Sequence, residues 1–190
     1  MKVLSPRDYR KMPWKNGAGA TTEIAIAPAG SEFGDQPFLW RVSIADIPAS
    51  GAFSLFPGYD RTILLLEGGG MMLDGPERAS IDLSRRLCPA TFPGEWPVFG
   101  RLLSGPVRDF NLMIERRRAT SRLEILELTQ ARRLARPPGA TLIAYVVEGS
   151  LRGAPAEHAL IADHALDLEP TAATTIISIT IREFAKSGRV

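Results

Sequence analysis

The chain has 190 residues, is 45% hydrophobic, and carries 23 Lys and Arg against 21 Asp and Glu, a net charge of +2. So even a balance argues against a nucleic-acid partner, which needs a clear basic excess. The one cysteine, Cys88, excludes an intramolecular disulfide, and two histidines exclude a three-histidine metal site.

No apolar run is long enough to span a bilayer, and Met1-Lys2-Val3-Leu4-Ser5-Pro6 lacks the apolar segment of a secretory leader. The expected location is cytoplasmic, with no membrane partner. The 15 Pro and 17 Gly are scattered as punctuation, which favours short strands and tight turns over long helices. The predicted class is all-β.

Residues 5–12 read as a short strand or turn at an edge. In Trp14-Lys15-Asn16-Gly17-Ala18-Gly19 the glycines permit close backbone approach. A phosphate loop would need a helix after it, but Thr22-Glu23-Ile24-Ala25-Ile26 alternates like a strand. The loop instead offers Lys15 and Asn16 to a ligand, with Trp14 beside them. Phe38 to Ala45 alternates large apolar with polar residues and puts Arg41 and Ser43 on one face.

Next, a Pro57-Gly58 turn leads into the apolar run Ile63 to Leu66, which ends on Glu67-Gly68 and predicts a buried strand. Ser54, Phe56, Asp60 and Arg61 stand at its mouth. Met71 to Pro76 makes a strand end and turn, and Arg78 to Leu87 alternates loosely. Thr91 to Phe99, which contains Glu95, is too proline-rich for a central strand. Val107 to Ile114 predicts a strand with Asp109, Asn111 and Met113 on one face and Phe110, Leu112 and Ile114 on the other.

Glu115-Arg116-Arg117-Arg118 reads as a solvated connector and marks a boundary between halves, 1–118 and 119–190. Ser121 and Glu124 have the spacing of a helical capping box. His158 and His164 read as turn or surface residues, and Cys88 as a small buried hydrophobe.

The second half repeats the first. A shift of 81 residues lays Pro138-Gly139 on Pro57-Gly58 and Glu148-Gly149 on Glu67-Gly68 without a gap. Ile143 to Val147 then covers Thr62 to Leu66. Two copies of one β unit follow, and strands rather than a helix are expected from Ser121 onward. Thr174 to Ile181 plays the part of Val107 to Ile114. The copies differ where chemistry would sit: Ser54, Asp60 and Arg61 are matched by Ala135, Thr141 and Leu142. The first half is expected to hold any ligand, and the second to be mainly structural.

Tyr145-Val146-Val147-Glu148-Gly149 resembles the strand ending of a cupin, and its double occurrence resembles a bicupin, two jelly rolls packed together. A metal cupin carries a His-x-His pair and a Glu ahead of that ending. Counted back from Gly68, the Glu position falls on Arg61 and the His positions among Ser54, Leu55, Phe56 and Pro57. The second-motif His is missing as well, with Trp96, Pro97 or Phe99 in its neighbourhood. Neither Phe nor Arg ligates metal, so the chain is similar to a cupin whose metal site has been replaced.

A closer resemblance is to the HutD/Ves family of bicupins. It is carried by Trp14-Lys15-Asn16-Gly17-Ala18-Gly19 with Glu23-Ile24, by Phe53 to Arg61, by Phe92-Pro93-Gly94-Glu95, and by Gly105 to Met113. Ala18 departs from the glycine common there. The resemblance implies a bacterial protein linked to histidine utilisation that binds a small molecule or regulates.

Arg41, Arg61 and Lys15 are cationic donors, and Arg suits bidentate recognition of a carboxylate. Asn16, Ser43, Ser54 and Asn111 add neutral hydrogen bonds. Asp60, Glu95 and Asp109 orient the cations or accept an N–H, and Trp14, Phe56 and Met113 complete the wall. The expected ligand is a small anionic metabolite such as urocanate or formylglutamate, with no cofactor, no metal and no catalytic residue. A homodimer is compatible with this. The competing readings are a metal-independent isomerase or hydrolase with Asp60 or Glu95 as base and Arg61 as electrostatic stabiliser, and a purely structural dimerising protein.

Overall fold

A computed structural model of the chain describes residues 1–14, 19–31 and 37–184. Lys15 and Asn16 lie outside the described residues. The chain divides into two units, Tyr9–Arg116 and Met1–Asp8 with Arg117–Val190. Strand β1 (Lys2–Leu4) therefore joins the second unit, although a sequence-based partition keeps residues 1–8 with the first. Among the described residues there is no α-helix, only two short 3₁₀ turns at Pro6–Asp8 and Pro76–Arg78.

The Tyr9–Arg116 unit contains β2 (Arg10–Pro13), β3 (Ala20–Ala27), β4 (Trp40–Ile47), β5 (Gly51–Ala52), β6 (Tyr59–Gly68), β7 (Met71–Asp74), β8 (Ser80–Leu83), β9 (Ala90–Pro93), β10 (Phe99–Leu102) and β11 (Val107–Glu115). A six-stranded sheet runs β2-β3-β4-β11-β6-β9, and a four-stranded sheet runs β5-β10-β7-β8. All their pairings are antiparallel. The proline-bearing β9 sits at an edge, where a missing N–H costs no ladder bond. Ile63, Leu65, Phe92 and Val107 of the larger sheet meet Met71, Leu73 and Leu83 of the smaller in one apolar cluster, so the two sheets enclose a jelly-roll core.

The second unit contains β1 and β12 (Ala119–Leu128), β13 (Arg132–Leu134), β14 (Ala140–Glu148), β15 (Ser150–Leu151), β16 (Ala154–Pro155), β17 (Ala159–Ala162), β18 (Leu166–Leu168) and β19 (Thr174–Glu183). Its main sheet runs β1-β17-β14-β19-β12, with β13–β18 and β15–β16 as short pairs. The capping-box spacing at Ser121 yields no helix. Residues 119–128 find a full antiparallel partner in β19, and backbone pairing over that length outweighs a local propensity. Leu126, Leu142, Ala144, Val146, Leu160, Leu166 and Ile176 form its core.

The repeat appears in the ladders. In β6, Leu66 is left unpaired between Glu67↔Arg108 and Leu65↔Asp109; in β14, Val147 is left unpaired between Glu148↔Thr175 and Val146↔Ile176. These bulges are 81 residues apart, as are Gly68 and Gly149, both at positive φ (+104° and +77°). Central rows agree too. Ile44, Phe110 and Leu64 stand opposite one another in the first unit, and Ile125, Ile177 and Tyr145 in the second.

Candidate functional site

Directly opposed residues in an antiparallel ladder share a face. One row across the six-stranded sheet reads Ile26, Arg41, Met113, Arg61 and Phe92. The next reads Glu23, Ser43, Asn111 and Ile63, and a third Thr21, Ala45, Asp109 and Leu65. A bulge at Ile24 brings Glu23 and Ile26 to the same face. Six buried polar residues of this unit, Glu23, Arg41, Ser43, Arg61, Asp109 and Asn111, thus line one face, the one that also carries the core. In the second unit the positions matching Arg61, Ile63, Leu65 and Asp109 hold Leu142, Ala144, Val146 and Ile176, all buried and apolar, while those matching Asn111 and Met113 hold the uncharged Ser178 and Thr180.

The charged members differ in how they are compensated. Arg41 Nε donates to Glu23 Oε2 at 2.7 Å, a nearly solvent-free ion pair. Burial pulls the Arg41 guanidinium below its usual range and Glu23 opposes that pull. Arg61 is only 4% exposed and has no such ion pair among the described residues. Its guanidinium carbon lies 5.1 Å from the Phe53 ring centre, 5.4 Å from Phe92 and 5.5 Å from Phe56. Arg61 Nη1 donates to the Ser54 carbonyl at a long 3.4 Å, and Arg61 Nε has no acceptor among the described residues. Burial lowers its pKa to about 10, with Asp109 resisting and Arg41 adding to the fall, so it remains a cation at neutral pH.

Asp109 is 1% exposed, and neither carboxylate oxygen has a hydrogen-bond partner among the described residues. Burial raises its pKa to about 7, against the pull of Arg61; the Ala45 backbone N–H lowers it further without meeting hydrogen-bond geometry. Asn111 Oδ1 is likewise buried without a donor among the described residues.

The raised Asp109 has a measurable consequence. The unfolded carboxyl releases its proton near pH 4 and the folded one near pH 7, so the folded state binds the extra proton between them. Asp109 therefore contributes stability that is complete below about pH 4 and lost as pH rises towards about 7, with a ceiling of roughly 4 kcal/mol. Asp109→Asn should flatten that part of the stability–pH curve measured by urea denaturation, and an unchanged curve would contradict it.

Two acids expected in the pocket are elsewhere. Asp60 follows Tyr59 and precedes Arg61 on β6, so it points to the other face. Arg116 gathers it in: Nε donates to Asp60 Oδ1 at 2.9 Å, Nη1 and Nη2 to Glu95 at 2.6 and 2.8 Å, and Nη2 to the Tyr59 carbonyl at 2.7 Å. This hydrogen bonding holds Glu95 below its usual range, the reverse of what a base at neutral pH needs. Arg116, read from sequence as part of a solvated connector, instead ties the start of β6 to the loop after β9.

The other expected residues divide. Met113 is buried with Phe38 and Tyr59, Phe56 packs against that cluster, and Ser43 lies within the polar row. Ser54 is exposed and brings its carbonyl rather than its hydroxyl. The Trp14 indole N–H donates to Thr21 Oγ1 at 2.9 Å, and its ring packs on the apolar cluster. Glu23, Phe53 and Phe92 complete the site and were not singled out from sequence. The only signal for them was that all three lie in the family motifs.

A groove of about 620 Å³ opens at the end of the same sheet, between Lys11, Asp46, Glu67 and Arg108, and it includes none of the six buried polar residues. Its charges pair with one another, Arg108 with Glu67 at 3.3 Å and with Asp46 at 3.6 Å. The uncompensated groups lie in the interior. Among the described residues no group of three His, Cys, Asp or Glu side chains is placed to hold a metal, and no helix is long and apolar enough to cross a membrane. His158 and His164 make local contacts, with the Ala156 carbonyl and with Asp163.

Comparison with known proteins places this interior in a family. Over 129 residues the chain is 45% identical to an uncharacterised 21.2 kDa protein in the hutC 3′ region of Pseudomonas putida, a stretch covering 65% of this chain and 63% of that protein. It is 42% identical over 126 residues to protein Ves of Citrobacter koseri, covering 64% and 63%. The match thus spans just under two thirds of the length of either relative. The structure of HutD from Pseudomonas fluorescens SBW25 (formate condition) superposes with a TM-score of 0.81 at 34% identity, covering 97% of this chain and 99% of that one. A likeness at 10% identity to protein Ylba of E. coli, with a TM-score of 0.71, is of fold alone, the cupin-like jelly roll. With a family model matching residues 6–183 and a fold shared along nearly the whole chain, this protein belongs to the HutD family.

Proposed function

We propose that the Tyr9–Arg116 unit binds a small carboxylate metabolite on Arg61, without a metal, and that the protein serves as a sensor or regulator associated with histidine utilisation. One observation carries the reading. Arg61 is a buried guanidinium whose Nε has no acceptor among the described residues, walled by three phenylalanine rings. An isolated buried charge is costly, and a carboxylate is the partner that a planar guanidinium fits best. The aromatic wall suits a flat or short ligand, and Asn111 and Asp109 offer further polar contacts. The HutD and hutC names of its relatives direct attention to acids of histidine breakdown. Isomerase or hydrolase chemistry through Asp60 or Glu95 has less support, because Arg116 engages both.

The test is a thermal-shift titration with urocanate and with formylglutamate. Either should raise the melting temperature in proportion to RT ln(1 + [L]/Kd), and Arg61→Ala should remove the shift. If neither acid stabilises the wild-type protein, the reading fails.

A further inference from the structure

The carboxylate-binding reading leaves one group of the site unaccounted for. Asp109 stands on β11, four residues before Met113, on the face shared with Arg61 and Arg41. It is an acid in a place built for an anion, almost fully buried, with both oxygens lacking a hydrogen-bond partner among the described residues. We propose, resting on that reading, that Asp109 is a ligand-contacting specificity residue that takes up one proton as a carboxylate settles on Arg61, and then presents its O–H to the ligand.

The charges around Asp109 carry the argument. On β6 the facing charge is Arg61, the principal one that favours the ionised form. On β4, Arg41 shares the face but is spent on Glu23 of β3, and Asp46, on the opposite face, disfavours a second negative charge. Across the core, β7 and β8 present the apolar Met71, Leu73, Ile81 and Leu83. When a ligand carboxylate neutralises Arg61, the one strong attraction holding Asp109 ionised is cancelled, while its desolvation remains. Two carboxylates in one buried pocket do not both stay ionised, and the proton they share comes from solvent. No other bond changes. An Asp109 O–H then also converts an acceptor into a donor, which a ligand oxygen accepts. The titration of Asp109 near neutrality is consistent with this placement.

By linkage, affinity is steady at low pH, where Asp109 already carries the proton. It falls by up to about tenfold per pH unit once binding must bring the proton in. Formylglutamate is a suitable probe, since its carboxylates stay ionised above about pH 6. Calorimetric titration in two buffers of different ionisation enthalpy should read close to one proton taken up per ligand at pH 8.5 and a much smaller fraction at pH 6. Affinity should fall about tenfold from pH 7.5 to 8.5. Asp109→Asn, which copies the protonated shape, should bind with no proton uptake and with one affinity across this range. Should that variant fail to fold, the two-buffer experiment on the wild-type protein decides alone. Tight binding with no proton uptake at any pH would overturn this inference and leave the function reading standing. No binding at any pH would remove both.

Discussion

Arg61→Leu is expected to make the protein more stable and, in the same substitution, to abolish carboxylate binding. The guanidinium is 4% exposed, meets one carbonyl at 3.4 Å, and has an Nε with no acceptor among the described residues. Replacing buried charged groups with well-packed apolar side chains is often neutral or stabilising, by up to about 1–4 kcal/mol. Against that stands the loss of attraction to Phe53, Phe56 and Phe92, on the order of 0.5–2 kcal/mol for such contacts. The fold itself shows that leucine suits the position, because the corresponding residue 81 places on is Leu142, 1% exposed in the core of the second unit. Removing Arg61 takes away the charge that favours ionised Asp109, and Asp109 can then take up a proton, so the substitution strands no second buried charge. Urea denaturation should show a higher midpoint, and thermal titration with formylglutamate should show no shift. A variant several kcal/mol less stable than wild type would mean that Arg61 is held for the fold and not for a ligand.

Such a trade between stability and function was partly legible in the sequence, because the repeat pairs each position with a control. Turn signals and strand terminators are short-range, so Pro57-Gly58 and Pro138-Gly139 marked the register without any structure. Period-2 alternation likewise put Asp109, Asn111 and Met113 on one face of β11, and Arg41 with Ser43 on one face of β4, as the ladders have them. Pairing between distant residues was not legible. Asp60 and Arg61 are neighbours in sequence yet face opposite ways, and the cation that Asp60 meets is Arg116, 56 residues on. Glu23 was hidden for a related reason: the bulge at Ile24 breaks the alternation, so counting along β3 does not show that Glu23 and Ile26 share a face with Arg41. The three residues of β1 are too short to show a period, and their partner, β17, is over 150 residues away.

The repeat makes a sharper demand on its terminating glycines. Gly149→Ala is expected to cost several kcal/mol, while Gly139→Ala, also at positive φ, should cost only about 1 kcal/mol. Both residues adopt left-handed backbone, φ +77° and +70°, so the conformational penalty of a side chain is similar. The space around them differs. A Cβ on Gly149 would lie 2.2 Å from the Ala173 carbonyl oxygen and 2.8 Å from Thr174 Cα, whereas a Cβ on Gly139 would meet nothing within 4 Å. Those are backbone atoms at the start of β19, so no rotamer change relieves the overlap, and the bulged end of β14 must part from its neighbour. Gly68 in the first unit is built the same way, with the Pro106 carbonyl oxygen at 2.5 Å and Val107 Cα at 2.8 Å. If the two glycines are equivalent parts of one repeated device, Gly68→Ala should cost as much as Gly149→Ala. At roughly 2–4 °C per kcal/mol for a chain of this size, each should lower the melting temperature by about 8 °C or more, and Gly139→Ala by about 2–4 °C. Equal shifts for Gly149→Ala and Gly139→Ala would show that the close approach at the bulge is not what keeps glycine there.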